Sequence, residues 1–209
     1  MDELVRNLRA KKVLRTPSII KAFRAVDRKD FVPEEFKNSA YADTALPIGW
    51  GQTISQPLTV AFMFELLEPK RGEVIMDVGH GSGWTTALLA HIIGPASAGG
   101  KVFAFEIVPE LCRFGKENFL KYPKFAKRAE FFCRDASLGL PDMKFDGIIA
   151  AAEVQEVPEA WRSQLKTGGR LVYPKENAIM KEIKEAGGAY NVETYPGFVF
   201  VPYISNAGK

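Results

Sequence analysis

The sequence is poor in the side chains that most enzymes use for metal binding or nucleophilic catalysis. Its 209 residues include two cysteines and two histidines. Cys112 and Cys133 do not form a C-x-x-C pair, and no metal-ligand spacing surrounds His80 or His91. We therefore expect buried free thiols, a reducing cytoplasmic compartment and no bound metal.

Two further features are missing, a long apolar run and a large excess of one charge. No run reaches the length of a membrane span, and the N-terminal MDELVRNLRAKK is too polar for a signal peptide. The 28 basic and 25 acidic residues leave a formal net charge of +3, which is small for a nucleic-acid-binding surface. We expect no contact with membranes or nucleic acid.

The N-terminal part of the chain predicts a helical extension followed by an irregular segment. Residues 2–10 and 16–26 have helical patterning, the second with a proline suited to a first helical turn. Residues 37–56 look irregular. A further helix is predicted at about 57–68, where a proline and a glycine end it.

From residue 73 onwards, strand-like segments alternate with helix-like segments. Such alternation predicts right-handed βαβ units and a parallel sheet. The predicted strands are 73–79, 101–107, 129–135, 145–152 and 168–174, and the predicted helices are 84–93, 109–120 and 158–166. The tail segments AIMKEIKE, YNVETYP and GFVFVPYI resemble antiparallel strands. We predict one doubly wound α/β domain with a helical N-terminal extension.

The segment DVGHGSG at 77–83 lies where a predicted strand turns into a predicted helix. Glycines at such a turn let the backbone bend sharply and approach a ligand, and the helix N-terminus offers free N–H groups. The spacing G-x-G-x-G differs from the dinucleotide-binding G-x-G-x-x-G. The alternative is a glycine-rich turn with a purely structural role.

Acidic residues accompany three neighbouring predicted strands, at Asp77, Glu106 and Asp135. Ligands of open α/β sheets bind at the carboxyl ends of the strands, where these acids are expected to lie. Three carboxylates would repel a polyphosphate, whereas they suit a ribose diol, an adenine amine and a cationic amino-acid group. The pattern predicts S-adenosylmethionine as the cofactor.

The segment GQTISQP at 51–57 has two interpretations. Ser55 stands shortly before Pro57 and an apolar helix, which locally favours a helix N-cap. The other interpretation is a site where a substrate is held and changed.

This segment belongs to a series of motifs that resembles the protein-L-isoaspartate O-methyltransferase family, a group of class I S-adenosylmethionine-dependent methyltransferases. GQTIS is far more specific for that family than the glycine loop is. The resemblance covers almost the whole chain from about residue 17. The motifs, in the family's order, are RAVDRKDFVPEEF (24–36), the run 41–57, DVGHGSGW (77–84), VFAFEIVPEL (102–111), LPDMKFDGIIAAA (140–152), VPEAWRSQLKTGGRLVYP (157–174) and FVFVPYI (198–204).

The resemblance implies a fold and an activity. The fold is a Rossmann-like, mostly parallel seven-stranded sheet in a single domain, 1–209, with the helical extension and active-site loop in 1–56 and the cofactor-binding core in 57–209. The activity is methylation of the free α-carboxylate of L-isoaspartyl residues in damaged proteins and peptides, which starts their repair and yields S-adenosyl-L-homocysteine. We also expect a monomer whose partners are these substrates.

The resemblance also implies the site residues. Ser55 is the family's active-site serine, and we expect it to position the acceptor carboxylate. The loop 79–83 holds the methionine end of the cofactor, Glu106 holds the ribose, and Asp135 lies by the adenine. The implied cofactor-binding residues are Thr53, Ile54, Ser55, Asp77, Gly79, His80, Gly81, Ser82, Gly83, Glu106, Ile107, Asp135 and Ala136.

Several positions depart from the family's pattern, and three of them put the substrate in question. His80 stands where a Thr or Ser is usual, Ala136 replaces a glycine, and Glu153 adds a carboxylate near the end of the fourth strand. These departures leave two alternatives open. One is a carboxylate O-methyltransferase with a different peptide substrate, and the other is a non-catalytic descendant that binds the cofactor or a partner.

Overall fold

The computed structural model describes residues 1–205 and has an α/β architecture. The α-helices in this range are α1 (Asp2–Ala10), α2 (Pro17–Ala25), α3 (Pro57–Leu67), α4 (Trp84–Ile92), α5 (Pro109–Leu120) and α6 (Glu159–Gln164). The strands are β1 (Leu46–Gly49), β2 (Gln52–Ile54), β3 (Val74–Val78), β4 (Lys101–Glu106), β5 (Ala129–Cys133), β6 (Phe145–Ala150), β7 (Leu165–Lys175), β8 (Ala178–Lys184) and β9 (Tyr190–Pro196). None of the helices in residues 1–205 has both the length and the apolar composition needed to cross a membrane.

The central sheet has the strand order β5-β4-β3-β6-β7-β8-β9. Strands β3 to β7 pair in parallel, and β8 and β9 complete the sheet as antiparallel strands. The strand order therefore reverses between β3 and β6, which makes the carboxyl end of β3 the switch point where such sheets bind ligands. The predicted mostly parallel seven-stranded fold is confirmed.

The two faces of the sheet carry separate hydrophobic clusters. Alternate strand residues point to opposite faces, so that Ile75 belongs to one cluster and Met76 to the other. The cluster around Ile75 also contains Leu8 of α1 and Phe23 of α2. The N-terminal extension therefore shares a core with the sheet, which supports the single-domain division that we keep as a proposal.

Residues 37–56, predicted to be irregular, contain a hairpin formed by β1 and β2. Its turn is Gly-Trp-Gly at 49–51, with φ values of 90°, 52° and 70°, a left-handed conformation that glycine adopts at little cost. Strands of four and three residues, one of them containing Pro47, leave too little alternation to be recognised from sequence.

The segment GFVFVPYI was predicted to be a strand, and this prediction is wrong. The N–H groups of Gly197 and Phe198 both donate to the carbonyl of Asn177, which turns the chain away from β9. A single bridge then joins Pro202 to Glu153, just after β6, and Pro202 has no N–H with which to extend a ladder. Residues 201–204 instead pass over the carboxyl ends of the strands, where they line a cavity.

Candidate active site

An open cavity of about 790 Å³ lies at the carboxyl ends of β3, β4, β5 and β6. We call it the cofactor cavity. All the predicted site residues line it except Asp77, Gly83 and Asp135. The hairpin closes one side of this cavity, and the C-terminal segment 201–204 closes another.

The glycine loop, residues 79–83, forms the floor of the cofactor cavity. Gly79, Gly81 and Gly83 have positive φ values of 74°, 49° and 84°, which residues with a Cβ rarely adopt. The N–H of Gly79 donates to the carbonyl of Phe105 at 2.8 Å, so that the loop is tied to the end of β4. The turn presents the N-terminus of α4, with its free N–H groups, to the cavity.

Glu106, the last residue of β4, holds the glycine loop through its carboxylate. Oε2 accepts a hydrogen bond from the N–H of Gly81 at 3.0 Å, and Oε1 accepts from the N–H groups of Ile107 and Val108 at 2.8 and 3.0 Å. A carboxylate has about four acceptor positions, so these bonds leave room for a ligand hydroxyl. Glu106 lines the cavity, as the predicted ribose contact requires.

Asp77 lies behind the loop and not in the cavity, which corrects its predicted direct place in the cofactor site. Oδ2 accepts from the hydroxyls of Thr85 and Thr86 at 2.9 and 2.6 Å, and the buried Oδ1 has no partner within residues 1–205. Burial raises the pKa of Asp77 to about 6, against the opposing effect of the Thr86 and Thr85 hydrogen bonds. In this structure the carboxylate of Asp77 supports the first turn of α4 and does not line the cofactor cavity.

His80 supports the loop from beneath. Its ring packs edge-on against Phe131 at 5.1 Å between centroids, and Nδ1 lies 3.3 Å from the carbonyl of Gly81. Nε2 is buried and has no partner within the described chain. Burial lowers the pKa of His80 to about 4, so the imidazole is neutral at pH 7.

We expect Gly115→Ala to weaken binding of the predicted cofactor about tenfold, although Ala favours helices. A Cβ at Gly115 would lie 2.5 Å from the carbonyl oxygen of Gly81 and 2.6 Å from Nδ1 of His80, so the glycine loop must move. Calorimetric titration with S-adenosylmethionine measures the effect. Glu117→Ala, on the exposed face of the same helix, is the matched control, and equal affinities of the two variants would contradict the expectation.

Asp135 is predicted to end its strand, but β5 ends at Cys133, and the carboxylate of Asp135 binds the C-terminal segment. Oδ1 accepts from the hydroxyl of Tyr203 and from the N–H of Ser137, both at 2.8 Å, and Oδ2 accepts from the hydroxyl of Ser205 at 2.9 Å. Asp135 anchors the segment that closes this end of the cavity, and the neighbouring Ala136 lines the cavity, so a place of Asp135 by the adenine stays a prediction.

A second open cavity, of about 900 Å³, adjoins the first. We call it the acceptor cavity. Thr53, Ser55, Ala151 and Val201 line both cavities. The described residues that line the acceptor cavity include no charged one, and they are Thr44, Ala45, Thr53, Ser55, Gln56, Thr59, Ala151, Val199, Phe200 and Val201.

Ser55 is a wall of both cavities, and its hydroxyl makes no hydrogen bond within residues 1–205. The N-cap of α3 is Gln56, without a side-chain capping bond. Asp43 supplies the cap instead, because its Oδ1 accepts from the N–H of Leu58 at 2.9 Å. The capping interpretation of Ser55 is wrong, and its hydroxyl is available to a ligand.

Sequence reasoning missed the residues that hold the site from a distance. Arg28 is fully buried, and it donates hydrogen bonds to the carbonyls of Ala40, Thr44 and Ser55. Backbone carbonyls leave no pattern in a sequence, so the only signal was a charged residue between two apolar segments. The family resemblance suggests that the C-terminal part helps to form the peptide cleft, but the alternation of residues 201–204 predicts a strand and gives no sign that they line the cofactor cavity.

The comparisons with known proteins identify the family. A family model described as protein-L-isoaspartate(D-aspartate) O-methyltransferase matches residues 1–208. A protein-L-isoaspartate O-methyltransferase from Methanopyrus kandleri is 36% identical over 214 residues, which cover 99% of this chain and 92% of the relative. One from Ignicoccus hospitalis is 39% identical over 208 residues, which cover 97% of this chain and 96% of the relative.

A solved structure agrees with this fold. The crystal structure of a Plasmodium falciparum protein described as a protein-L-isoaspartate O-methyltransferase, in complex with S-adenosyl-L-homocysteine, has a TM-score of 0.88 with this chain. The two are 24% identical, and the likeness covers 98% of each chain. At that identity the likeness concerns the fold. The family model and the curated relatives show that this chain belongs to the protein-L-isoaspartate O-methyltransferase family.

Proposed function

We propose that this protein transfers a methyl group from S-adenosylmethionine to the free α-carboxylate of L-isoaspartyl residues in peptides and proteins, and so starts their repair. The observation that carries the proposal is the junction of two cavities at Thr53, Ser55, Ala151 and Val201. Methyl transfer requires that donor and acceptor touch in one orientation, and this junction supplies such a place. Family membership supplies the class of acceptor.

The residues of the cofactor cavity fit S-adenosylmethionine. Glu106 keeps acceptor capacity for ribose hydroxyls, and the glycine loop lets the backbone approach the amino-acid end. Phe105, Ile107 and Ala136 offer apolar surface to the adenine. When bound, S-adenosylmethionine supplies a methyl group on a positively charged sulfur, from which a carboxylate oxygen can take it.

The neutral lining of the acceptor cavity suits a carboxylate acceptor. A carboxylate is already ionised at neutral pH, so the reaction needs no general base. An arginine or lysine in direct contact would bind the carboxylate strongly and would reduce its reactivity as a nucleophile. Hydroxyl donors hold it more weakly, and a lining without charges favours a reaction in which the reacting sulfonium and carboxylate give a neutral thioether and a neutral ester.

Ser55 is the residue that we assign to positioning the acceptor. A single hydroxyl donor can fix one carboxylate oxygen and leave the other oxygen to attack. Thr53, which also lines both cavities, is a second donor. Correct placement of two reacting groups can supply about 7–11 kcal/mol of the barrier in favourable cases, so this role suffices for a serine that is not a nucleophile.

The departures from the family's pattern lie outside the acceptor cavity. Neither His80 nor Glu153 lines it. The backbone of Glu153 carries the C-terminal segment, with its N–H donating to Val201 and its carbonyl accepting from Tyr203, both at 2.8 Å. These positions do not support a different carboxylate acceptor, and the free hydroxyl of Ser55 does not support a non-catalytic descendant.

We further propose a monomeric enzyme of the reducing cytoplasm, with peptide and protein substrates as its partners. Both cysteines are free thiols, which fits that compartment. Cys112 is buried as predicted, whereas Cys133 is exposed, because it is the last residue of the edge strand β5. The small net charge of +3 supports the absence of nucleic acid among the partners.

Paired peptides test the proposed function. With labelled S-adenosylmethionine, we expect label on a peptide that contains L-isoaspartate and none on the same peptide with L-aspartate. The second peptide is a strict control because it contains the same atoms, with the side-chain and main-chain carboxylates exchanged. Label on both peptides would contradict the proposal. So would the absence of label from both peptides when calorimetry shows that the cofactor is bound.

A further inference from the structure

Arg28 is a fully buried arginine behind the acceptor cavity. It begins the short 3-10 turn Arg28–Phe31, which follows α2. Its Nη1 donates to the carbonyl of Ala40 at 2.7 Å, and its Nη2 donates to the carbonyls of Thr44 and Ser55 at 3.0 and 3.1 Å. All three carbonyls belong to residues 40–55, which we call the acceptor loop.

These hydrogen bonds join two walls of the acceptor cavity. Thr44 and Ser55 both line it, and the same nitrogen of Arg28 binds both carbonyls. A guanidinium is planar and rigid, so it fixes the spacing of its acceptors in a way that a flexible ammonium does not. The position of the Ser55 hydroxyl is therefore set, through the backbone of Ser55, by Arg28.

The positive charge of Arg28 has no ion-pair partner within residues 1–205. Burial lowers the pKa of Arg28 to about 10, with Asp43 opposing the shift, and Arg28 remains a cation at pH 7. Asp43 is itself bound by the ammonium of Lys11 at 2.8 Å and by the N–H of Leu58 at 2.9 Å. The ring of Trp84 also lies close to Arg28, with its centroid 5.4 Å from the guanidinium carbon.

We propose that Arg28 is a positioning residue for methyl transfer. It holds Thr44 and Ser55 at the spacing that binds the acceptor, and its buried charge attracts a carboxylate into a cavity whose described lining has no cation. A buried charge is poorly screened by salt, so it acts on a neighbouring cavity even without contact. The inference rests on the proposed function for the identity of the acceptor. The positioning of the acceptor loop by Arg28 rests on the hydrogen bonds alone.

Two substitutions separate the effect of the hydrogen bonds between Arg28 and the acceptor loop from the effect of its positive charge. Arg28→Lys keeps the charge and loses the planar fork, and Arg28→Met loses both. Arg170→Met is the control, because Arg170 is also buried and also binds backbone carbonyls, but those of Leu67 and Glu68, which line neither cavity. Arg170 also forms an ion pair with Glu73, so its replacement is expected to cost stability. A role in stability alone would give the same kinetics in all three variants.

With an isoaspartyl peptide, we expect both Arg28 variants to lose about tenfold in kcat, because the Ser55 hydroxyl is no longer held in place. The KM for the peptide should rise about tenfold in Arg28→Met and stay within about threefold in Arg28→Lys. The affinity for S-adenosylmethionine should change less than about threefold in either. Arg170→Met should melt at a lower temperature with kcat and KM unchanged.

Wild-type kcat in both Arg28 variants would overturn the positioning role, and equal KM values in the two would overturn the attraction by charge. Amide hydrogen exchange of the acceptor loop, residues 40–55, measured without substrate, separates this inference from the proposed function. Faster exchange in Arg28→Met than in the wild type or Arg170→Met supports the hold on the loop, even if the wild type methylates no isoaspartyl peptide. Unchanged exchange overturns that hold.

Discussion

Ser55→Ala is expected to lower kcat for an isoaspartyl peptide about a hundredfold, while the dissociation constant for S-adenosylmethionine changes less than about threefold. The Ser55 hydroxyl lies where the two cavities meet and has no partner in residues 1–205. Its removal leaves the glycine loop and Glu106 untouched, but the acceptor carboxylate loses the donor that fixes one of its oxygens. Steady-state kinetics at saturating cofactor and calorimetry measure the two quantities.

Ser18→Ala is the control for this substitution. Ser18 lies partly exposed on α2, so its loss should leave kcat unchanged. The melting temperature of Ser55→Ala should also stay near the wild-type value, because Asp43 and not Ser55 provides the cap of α3. Parallel losses in kcat, cofactor affinity and stability would show that Ser55 has a structural role, and the positioning role would then be wrong.

The part of the cofactor site that sequence could predict is the part built from neighbours along the chain. The glycine loop follows β3 directly, and Glu106 ends the next strand. Parallel pairing places such strand ends at one edge of the sheet, and in this structure Glu106 does reach the N–H of Gly81. Local patterning and one general rule of sheet topology were sufficient there.

The direction of a strand-end side chain was harder to predict. The sequence pattern predicts the same place for Asp77 and Glu106, yet Asp77 is followed by another strand residue, Val78. Its side chain therefore points to the sheet face covered by α4, where Thr85 and Thr86 bind it. One residue of register decides whether an acid lines the cavity or lies behind it.

The supports that join distant segments could not be predicted at all. Arg28 binds carbonyls up to 27 residues away, Asp43 caps a helix 15 residues later, and Asp135 holds Tyr203 across 68 residues. Each bond depends on where the folded chain brings a backbone group or a hydroxyl. Such groups occur throughout every sequence, so no motif marks the few that are used.

Replacing His80 and replacing Asp77 are expected to change the slope of the free energy of unfolding against pH in opposite directions. The pKa of His80 falls from 6.5 to about 4 on burial, so its contribution is present above pH 6.5 and is lost as the pH falls toward 4. The pKa of Asp77 rises from 3.8 to about 6, so its contribution is present below pH 3.8 and is lost as the pH rises through 6. Each amounts to roughly 3 kcal/mol, and the two largely cancel between pH 6 and 4.

A single substitution at either residue should remove this cancellation of the two pH-dependent contributions. Relative to the wild type, the free energy of unfolding of His80→Asn should rise by roughly 3 kcal/mol between pH 6.5 and 4, and that of Asp77→Asn should fall by a similar amount. Urea unfolding at successive pH values measures both. The contributions of the other carboxylates are the same in the variant and the wild type, so they cancel when the two free energies of unfolding are subtracted. A curve for His80→Asn that runs parallel to the wild type would show that His80 is not held neutral.

His91→Asn and the double variant complete the test. His91, the other histidine, is partly buried and its pKa is also lowered by burial, so its replacement should tilt the curve in the same direction as His80→Asn but less. The double variant of His80 and Asp77 should run parallel to the wild type, with only a constant offset. A parallel curve for the double variant, together with opposite slopes in the two single variants, would mean that the opposing titrations of His80 and Asp77 keep the free energy of unfolding level across this pH range.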